Sequence, residues 1–510
     1  MGDGKLDCMK VMKLIFEKVK YEKCEIEEPY DLQDEIKKAL STKKFLFVVD
    51  DIWDEDPTKW EYPMLMVGTK GLLHSKKEKG IEEVGEGYFQ EFISKSYFQP
   101  SGENKSTFLM HDLIHELAMF VSGEFCSLLN ENKLSHKVRH LSYMRDCGGI
   151  FYSKEFEEEL SQAKCLRTFL LKLQWIELDR VWLSIIEQLH EAFPRLRVLS
   201  IANHYMNKLP DSTEEMPLQI SKMKNLQTLN RFVVGENEFV ITLLEGLQDL
   251  RGTLRLFGLE NVDSVEDVLE AKLKNKKFLS QIHLFWAKTH KPHDSEREKE
   301  IPSALEPHAS LKAFTIRGYR GNSFPNWIGN HSNVVRVNLW HCETFSFLPP
   351  LGQLPSLKDL VIRGLYGVVK ISSEFYYSTS VDSSLVTKTK PFRYLESLTF
   401  EDMRELQELS FIENGVFPCL KKLGFERCEK LQVCRNLKAL DEEAFQHLTS
   451  LEKLQIEYCG KLQYLPKELP SSLSDLCIRH CTMLEPRLEK NLGEDWPSIA
   501  HIPNINVVEY

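Results

Sequence analysis

One short apolar frame recurs from about Lys137 to the C-terminal end, and it restricts the fold more than any single residue does. Apolar side chains stand at relative positions 1, 4 and 6, often followed by a small polar or thiol side chain at position 9. The frame is clearest at Leu196, Leu199, Ile201 with His204; at Val334, Val337, Leu339 with Cys342; at Leu357, Leu360, Ile362 with Leu365; and at Leu395, Leu398, Phe400 with Met403. It returns at Leu420, Leu423, Phe425 with Cys428; at Leu451, Leu454, Ile456 with Cys459; and at Leu473, Leu476, Ile478 with Cys481. Starts lie 23 residues apart from Leu311 to Val334 and from Val334 to Leu357, 25 from Leu395 to Leu420, and 22 from Leu451 to Leu473. Two wider gaps, 38 residues after Leu357 and 31 after Leu420, read as insertions carrying the polar runs Ser378 to Thr389 and Asp441 to Gln446.

Frame and period are those of a leucine-rich repeat, whose units run to roughly 20–29 residues. Each unit contributes one short strand with alternate apolar residues pointing inward, and a single unit has too little surface to bury them. Stacking closes the core, so a curved solenoid is expected. Leu209-Pro210, Leu348-Pro349 and Leu465-Pro466 fall where a return segment ends, since proline cannot continue a ladder. Position 9 is expected to turn the chain out of the strand while its side chain satisfies backbone groups inside the stack, a task suited to Asn and also to Cys as a small, buried, weak donor. Cys342, Cys428, Cys459 and Cys481 all occupy that slot. A metal site at His341/Cys342, His480/Cys481 or Cys477 with Cys481 competes with this reading, but neighbours in a pair should point oppositely, one to solvent and one to the core.

At 510 residues the chain is too long for one compact core and suits an array or several domains. Its net charge of -11 argues against nucleic acid as the main partner. The longest apolar runs, such as Phe45 to Val49, fall far short of the roughly 20 residues a membrane span needs. Neither a signal-peptide core nor a myristoylation pattern is read at the N-terminal end, where Leu6 stands in place of the required Ser or Thr. Twelve cysteines in such a chain point to a reducing compartment.

The period-2 rule sends the remaining strand positions outward, and Arg317, Asn338, Trp340, Arg363, Glu401, Glu426, Glu457, Tyr458 and Arg479 lie in or beside the strands. Mixed charge with aromatic anchors suits protein recognition. Taken singly, each of these residues also fits an ordinary solvated face.

Ahead of the repeats, Phe45 to Val49 reads as a buried strand delivering Asp50 and Asp51 at its end. Such a carboxylate pair serves Mg-nucleotide chemistry, one for the ion's water shell and one for an attacking water. No G-x-x-x-x-G-K-[ST] occurs in the sequence, and the only glycines before Asp50 are Gly2 and Gly4. Phe108 to Phe125 reads as a strand feeding a helix, with Asp112 as N-cap, an apolar face of Leu113, Ile114, Leu117, Ala118 and Val121, and His111 at the positive end within reach of a phosphate. His111, Asp112 and His115 also spell H-D-x-x-H, a near match to the zinc-hydrolase H-E-x-x-H, though Asp is a shorter base and no third ligand stands at a sensible spacing.

On these residues the chain resembles the plant NB-ARC leucine-rich-repeat disease-resistance proteins of the coiled-coil class. Leu46 to Trp53 resembles that family's Walker B segment, Glu82 to Gln99 its winged-helix segment, and Met110-His111-Asp112 its MHD motif. Val138 to Tyr143, Leu166 to Leu170, Asn225 to Glu236, Leu254 to Val262 and Gly493 to Ile505 resemble its repeat region. The resemblance implies an α/β chain in three parts: residues 1–66 a partial NB-ARC (P-loop NTPase) domain, 67–136 a winged-helix remnant with the MHD motif, and 137–510 the leucine-rich-repeat solenoid. It further implies a cytoplasmic defence receptor in which ADP holds an off state and ATP with Mg an on state, with Asp50 serving Mg, Asp51 the hydrolytic water and His111 the ADP phosphate. Against the family pattern, the coiled coil, the phosphate loop, the sensor arginine after Trp60 and the GLPL segment are missing, and repeats are lost where Leu209-Pro210-Asp211-Ser212 joins Glu214 to Pro217. The expectation is a recognition module with an inactive switch that holds no nucleotide and is not an enzyme. Its partner would be a pathogen effector, a host guard protein or the NB-ARC domain of a full-length relative, met by Arg317, Trp340, Arg363, Glu401, Tyr458 and Arg479. A still-functional ADP switch is the alternative, and the zinc hydrolase a remote one.

Overall fold

The computed structural model describes isolated residues between 13 and 35, then residues 81–101, 107–128, 134–145, 160, 162–173, 193–203, 216–235, 240–287, 297–321, 324–329, 331–371, 373–377, 390–409, 416–431, 445, 448–466 and 468–508. Asp50 and Asp51, the run Ser378 to Thr389, the segment Leu209 to Ser212 and the position-9 residue His204 lie outside them. The chain divides into two compact units, residues 1–61 with 88–121 and residues 62–87 with 122–510.

The helix α1 (Ile81–Ser94), of which residues 88–94 fall in the first unit, leads into a hairpin of β1 (Phe98–Ser101) and β2 (Thr107–Met110), paired antiparallel from Phe98↔Met110 to Ser101↔Thr107. Phe89 of α1 meets Phe98 at 5.3 Å and Phe108 edge-on at 5.0 Å between ring centroids, which ties helix to hairpin. Next comes α2 (Asp112–Ser122). Its first intrahelical bond runs from the His115 N–H to the His111 carbonyl at 3.0 Å, so His111 is the N-cap and Asp112 lies inside the first turn, one residue from the expected place. The expected apolar face is only partly covered: Ile114 and Leu117 are half-buried, whereas Ala118 is exposed and Val121 is 58% exposed.

The second unit is built from parallel strands. β3 (Cys126–Leu128), β4 (His140–Arg145), β5 (Thr168–Leu173), β6 (Val198–Asn203) and β7 (Thr228–Leu229) form a five-stranded sheet in chain order. β3 pairs with β4 through Cys126↔His140, so the ladder already holds a strand ahead of Lys137. An eleven-stranded sheet follows, beginning with β8 (Phe232–Val233), β9 (Gly252–Phe257), β10 (Leu279–Phe285), β11 (Ala313–Arg317), β12 (Arg336–Trp340) and β13 (Asp359–Arg363). A small side ladder, β14 (Lys370–Ile371) with β16 (Glu408–Leu409), flanks β15 (Ser397–Glu401). β17 (Lys422–Glu426), β18 (Lys453–Glu457), β19 (Asp475–Arg479) and β20 (Asn504–Val508) complete the large sheet. One stretch joins the two sheets, because β7 pairs back to β6 at Leu199↔Leu229 while β8 pairs forward to β9 at Phe232↔Leu256.

The strands form because their apolar residues alternate. Leu360 and Ile362, Leu398 and Phe400, Leu454 and Ile456, and Leu476 and Ile478 are all buried at positions 4 and 6, with their neighbours at least partly open. One continuous hydrophobic core runs from Leu134 to Ile502. Both inferred insertions leave the register intact, since β13 pairs directly with β15 (Asp359↔Ser397) and β17 with β18 (Lys422↔Lys453).

Position 9 behaves as expected in its chemistry. Each buried thiol approaches two carbonyls, its own strand's position 7 and the preceding repeat's position 6: Cys342 at 3.5 Å from Trp340 and 4.0 Å from Ile316, Cys459 at 3.4 Å from Glu457 and 3.9 Å from Phe425, and Cys481 at 3.4 Å from Arg479 and 3.6 Å from Ile456. Burial pushes the Cys342 thiol up to about 12, which keeps it protonated and a donor. The turn itself is made one residue earlier than expected. Position 8 is left-handed at Gly258, Gly318, His341, Gly364, Asp402, Arg427, Tyr458 and His480, with φ between 51° and 77°. In that conformation its N–H reaches the position-7 carbonyl of the next repeat, as from His341 to Arg363 at 2.7 Å and from Asp402 to Glu426 at 2.7 Å, and so lengthens the ladder by one rung. A left-handed non-glycine residue costs roughly 1–2 kcal/mol, which the extra interstrand hydrogen bond offsets in part.

One cation lies inside the core. Lys276 is buried, and its ammonium donates to the carbonyls of Leu244 at 2.6 Å and Leu247 at 2.8 Å, closing the end of a 3-10 turn. Burial lowers its pKa to about 8, against the opposing pull of Glu245.

Candidate functional site

The ladder register brings most of the expected surface residues into one row. Arg317 of β11 stands opposite Trp340 of β12, Trp340 opposite Arg363 of β13, then Glu401, Glu426, Glu457 and Arg479 follow on β15, β17, β18 and β19. All occupy position 7, the last outward rung before the turn. At about 4.8 Å per strand the row from Arg317 to Arg479 spans about 29 Å. Tyr458 belongs to the adjacent position-8 row, 40% exposed, where it stacks on His480 with ring centroids 4.4 Å apart and an interplanar angle of 23°. The Arg427 guanidinium covers Tyr458 at 5.4 Å. Arg427 and His480 escape a reading of apolar periodicity because neither fills a core slot.

Charge along the row is locally compensated in its second half. Arg363 Nη1 lies 3.1 Å from Glu401 Oε1, Arg427 Nη1 3.5 Å from Glu426 Oε1, and Arg479 Nη1 3.8 Å from Glu457 Oε1. Burial nevertheless raises the Glu401 pKa, with Glu426 adding to the rise and Arg363 opposing it. Asp402 is pushed up by burial, but the Tyr366 hydroxyl donating at 2.7 Å and Arg404 donating at 2.8 Å outweigh this and hold its carboxyl below the usual range.

The first half also holds buried donors. The indole N–H of Trp340 and the Nε–H of Arg363, on directly paired strands, are buried and have no hydrogen-bond acceptor among the described residues. Burial lowers the Arg317 pKa, and the neighbouring Arg363 lowers it further. A buried donor left without an acceptor costs about 1–3 kcal/mol, so two side by side mark a place where an acceptor from outside gains what the fold has not used.

The nucleotide-related residues are less informative. His111 is half-buried at the N-terminus of α2, and Asp112 follows it with a buried Oδ2 that has no hydrogen-bond partner among the described residues. Asp50 and Asp51 lie outside the described residues, so no geometry connects them to His111. Among the described residues no group of three His, Cys, Asp or Glu side chains could hold a metal ion, and no helix is long and apolar enough to cross a membrane.

Three family models match: the NB-ARC domain over residues 4–86, the disease resistance protein winged helix domain over 67–118, and the R13L1/DRL21 LRRs over 241–365. Among curated proteins, disease resistance RPP13-like protein 1 of Arabidopsis thaliana is 32% identical across 78% of this chain and 44% of its own length. Disease resistance protein RGA2 of Solanum bulbocastanum is 28% identical across 86% of this chain and 55% of its own. The chain thus spans about half the length of the curated relatives it matches. Solved structures that align include an internalin of Listeria monocytogenes, with 14% identity, 63% and 83% coverage and a TM-score of 0.33. The leucine-rich repeat domain of the effector XopL aligns with 15% identity, 46% and 71% coverage and a TM-score of 0.28.

Proposed function

The chain belongs to the plant NB-ARC leucine-rich-repeat disease-resistance family, and from that premise we propose that it acts in cytoplasmic defence by binding a protein through the position-7 row rather than by catalysis. The supporting observation is the pair of buried donors of Trp340 and Arg363, without an acceptor among the described residues, in the first half of a row that also carries Arg317, Glu401 and Arg479, with Tyr458 beside it. Aromatic and arginine side chains are the types that dominate binding energy at protein interfaces. The partner is a pathogen effector, a host guard protein or the NB-ARC domain of a longer relative. The proposed domain division is residues 1–66, 67–136 and 137–510, with β3 (Cys126–Leu128) joined to the repeat ladder ahead of the last boundary. Pull-down of plant extract or of effector candidates with wild type, Trp340→Ala and Arg363→Ala tests the surface. Loss of at least tenfold in captured partner is expected, and unchanged capture by both variants refutes it.

For the nucleotide we propose that this polypeptide holds no ADP by itself, because its sequence has no phosphate loop to pair with Asp50, Asp51 and His111. The NB-ARC match over residues 4–86 favours the opposite reading, in which relatives' nucleotide binding persists here. Calorimetry with ADP and Mg decides: no heat is expected, while tight binding abolished by Asp50→Ala or His111→Ala overturns the proposal.

A further inference from the structure

Position 2 of the repeat, just ahead of each strand, forms a column of rungs of its own. The Arg139 N–H donates to the Phe125 carbonyl at 2.9 Å, Arg167 to Arg139 at 2.7 Å, Arg197 to Arg167 at 2.8 Å and Gln227 to Arg197 at 2.7 Å. Arg139, Arg167 and Arg197 therefore stand on consecutive rungs at the entry to β4, β5 and β6, within about 10 Å. Farther along, the same column alternates in sign: Lys358, Glu396 and Lys421 succeed one another, and Glu396 meets the two lysines at 2.9 Å and 3.5 Å. The three arginines are half-buried, Arg195 lies exposed two residues before Arg197, and among the described residues none of the four makes an ion pair. Glu124, next to Phe125 in the chain, is taken by Lys137 at 2.7 Å. The Arg139 guanidinium rests 4.6 Å from the Phe125 ring centroid, which directs the side chain without supplying a full counter-charge. Burial lowers the Arg167 pKa, and Arg139, Arg197 and Arg195 lower it further against the opposing pull of Cys165. A guanidinium keeps its proton at any ordinary pH, so an anion from solution is what relieves this crowding.

Spacing and charge density name the anion. Neighbouring rungs are about 4.8 Å apart. A carboxylate spends both oxygens on one arginine fork, whereas a phosphate monoester has three acceptor oxygens and a charge of about −1.5 to −2, enough to lie between two forks and serve both. Three arginines offer two such gaps, so the matching ligand carries at least two phosphates within about 10 Å. A nucleic-acid strand needs a longer basic track, and Gln227 interrupts this one before Arg251 in a chain of net charge -11. We propose that the position-2 arginines at the entry to β4, β5 and β6 bind a compact small molecule carrying several phosphate monoesters, one phosphate between Arg139 and Arg167, another between Arg167 and Arg197, with Arg195 at the rim. This site lies on a different column from the position-7 row and does not depend on what that row binds.

The test is calorimetry of the full chain with inositol hexakisphosphate, with unphosphorylated inositol and inorganic phosphate as controls. Vesicles containing a phosphatidylinositol bisphosphate present the same chemistry from a membrane. Saturable binding of the hexakisphosphate is expected, weakened at least tenfold in Arg167→Gln and in Arg197→Gln and unchanged in Lys421→Gln, whose lysine belongs to the compensated stretch. Inorganic phosphate should bind at least tenfold more weakly, and inositol should give no heat. Absence of binding, an equal loss in Lys421→Gln, or inorganic phosphate matching the hexakisphosphate overturns the proposal. Capture by the vesicles while the free compound fails to bind overturns it too, since the ligand is then a lipid headgroup. Thermal melting separates binding from folding. Without ligand, Arg167→Gln should melt no lower than wild type, because it removes like-charge crowding, and the hexakisphosphate should raise the melting temperature of wild type alone. A clear drop in the unliganded Arg167→Gln and Arg197→Gln proteins would make the column structural and sink the proposal.

Discussion

Replacing Gly318 with alanine probes the left-handed row directly. Gly318 has φ +75°, and an added Cβ would sit 2.2 Å from the carbonyl oxygen of Trp286, a backbone atom of the adjacent repeat. The left-handed conformation costs alanine about 1–2 kcal/mol, and forcing the overlap open adds about 1–3 kcal/mol, so a loss of about 2–5 kcal/mol is expected. The strain falls on two interstrand bonds, Trp286 N–H to Arg317 O and Gly318 N–H to Trp340 O, both 2.9 Å. Gly364 is the control. Its φ is +67°, but a Cβ there meets the His341 ring, 2.4 Å from Nδ1, and that side chain can rotate away. Gly364→Ala should therefore cost only about 1–2 kcal/mol. Urea denaturation followed by tryptophan fluorescence reads both. A Gly318→Ala protein within about 0.5 kcal/mol of wild type, below the ordinary cost of a left-handed alanine, would refute the account of how the repeats turn.

Other consequences follow from buried polar groups. Lys276→Met keeps the stem but leaves the Leu244 and Leu247 carbonyls without their donor, and a loss of about 2–4 kcal/mol in the same denaturation assay is expected; a neutral effect would mean water replaces the ammonium. For His283, burial and the neighbouring Arg255 hold the folded pKa at about 3, below the ordinary 6.5, so the unfolded chain takes up the proton first. Its contribution is complete above the unfolded value and drains away as pH falls toward the folded one. Between pH 6 and 4 wild type should lose up to about 1.4 kcal/mol per pH unit relative to His283→Gln, and parallel stability profiles would contradict it. Tyr458→Ala removes an exposed stack and a cation–π contact, so unfolding should shift by only about 1 kcal/mol; a much larger shift would assign Tyr458 to the core.

The repeat core was readable in the sequence because burial selects residue type: Leu, Ile, Val and Phe at positions 4 and 6 could not be mistaken for anything facing water. The thiols were readable for the same reason. What escaped notice depends on backbone geometry rather than on residue type. His341, Asp402, Arg427, Tyr458 and His480 share one left-handed conformation and nothing else, so no letter code marks the turn, and only Gly258, Gly318 and Gly364 offered a hint. Arg255 was missed because one extra residue separates Leu250 from Leu254 where the register shifts, whereas His283 sits inside an intact Leu279, Ile282, Leu284 frame and was overlooked as an ordinary outward position. The helix after Met110 was legible as an element, yet its cap was off by one residue and Val121 proved exposed, since an apolar residue near a helix end has no obligation to face a core.

The unbroken register across the two inserted inter-strand stretches has a consequence for how such proteins diversify. Asp359 meets Ser397 across 38 residues of chain and Lys422 meets Lys453 across 31, with the same rung alignment found where only 23 intervene. Strand order thus fixes which outward side chains stand shoulder to shoulder, and the amount of polypeptide looping between rungs has no say in it. Segments can lengthen or shorten over generations while Arg363 stays next to Glu401, so novelty in the loops and constancy in the row are inherited separately.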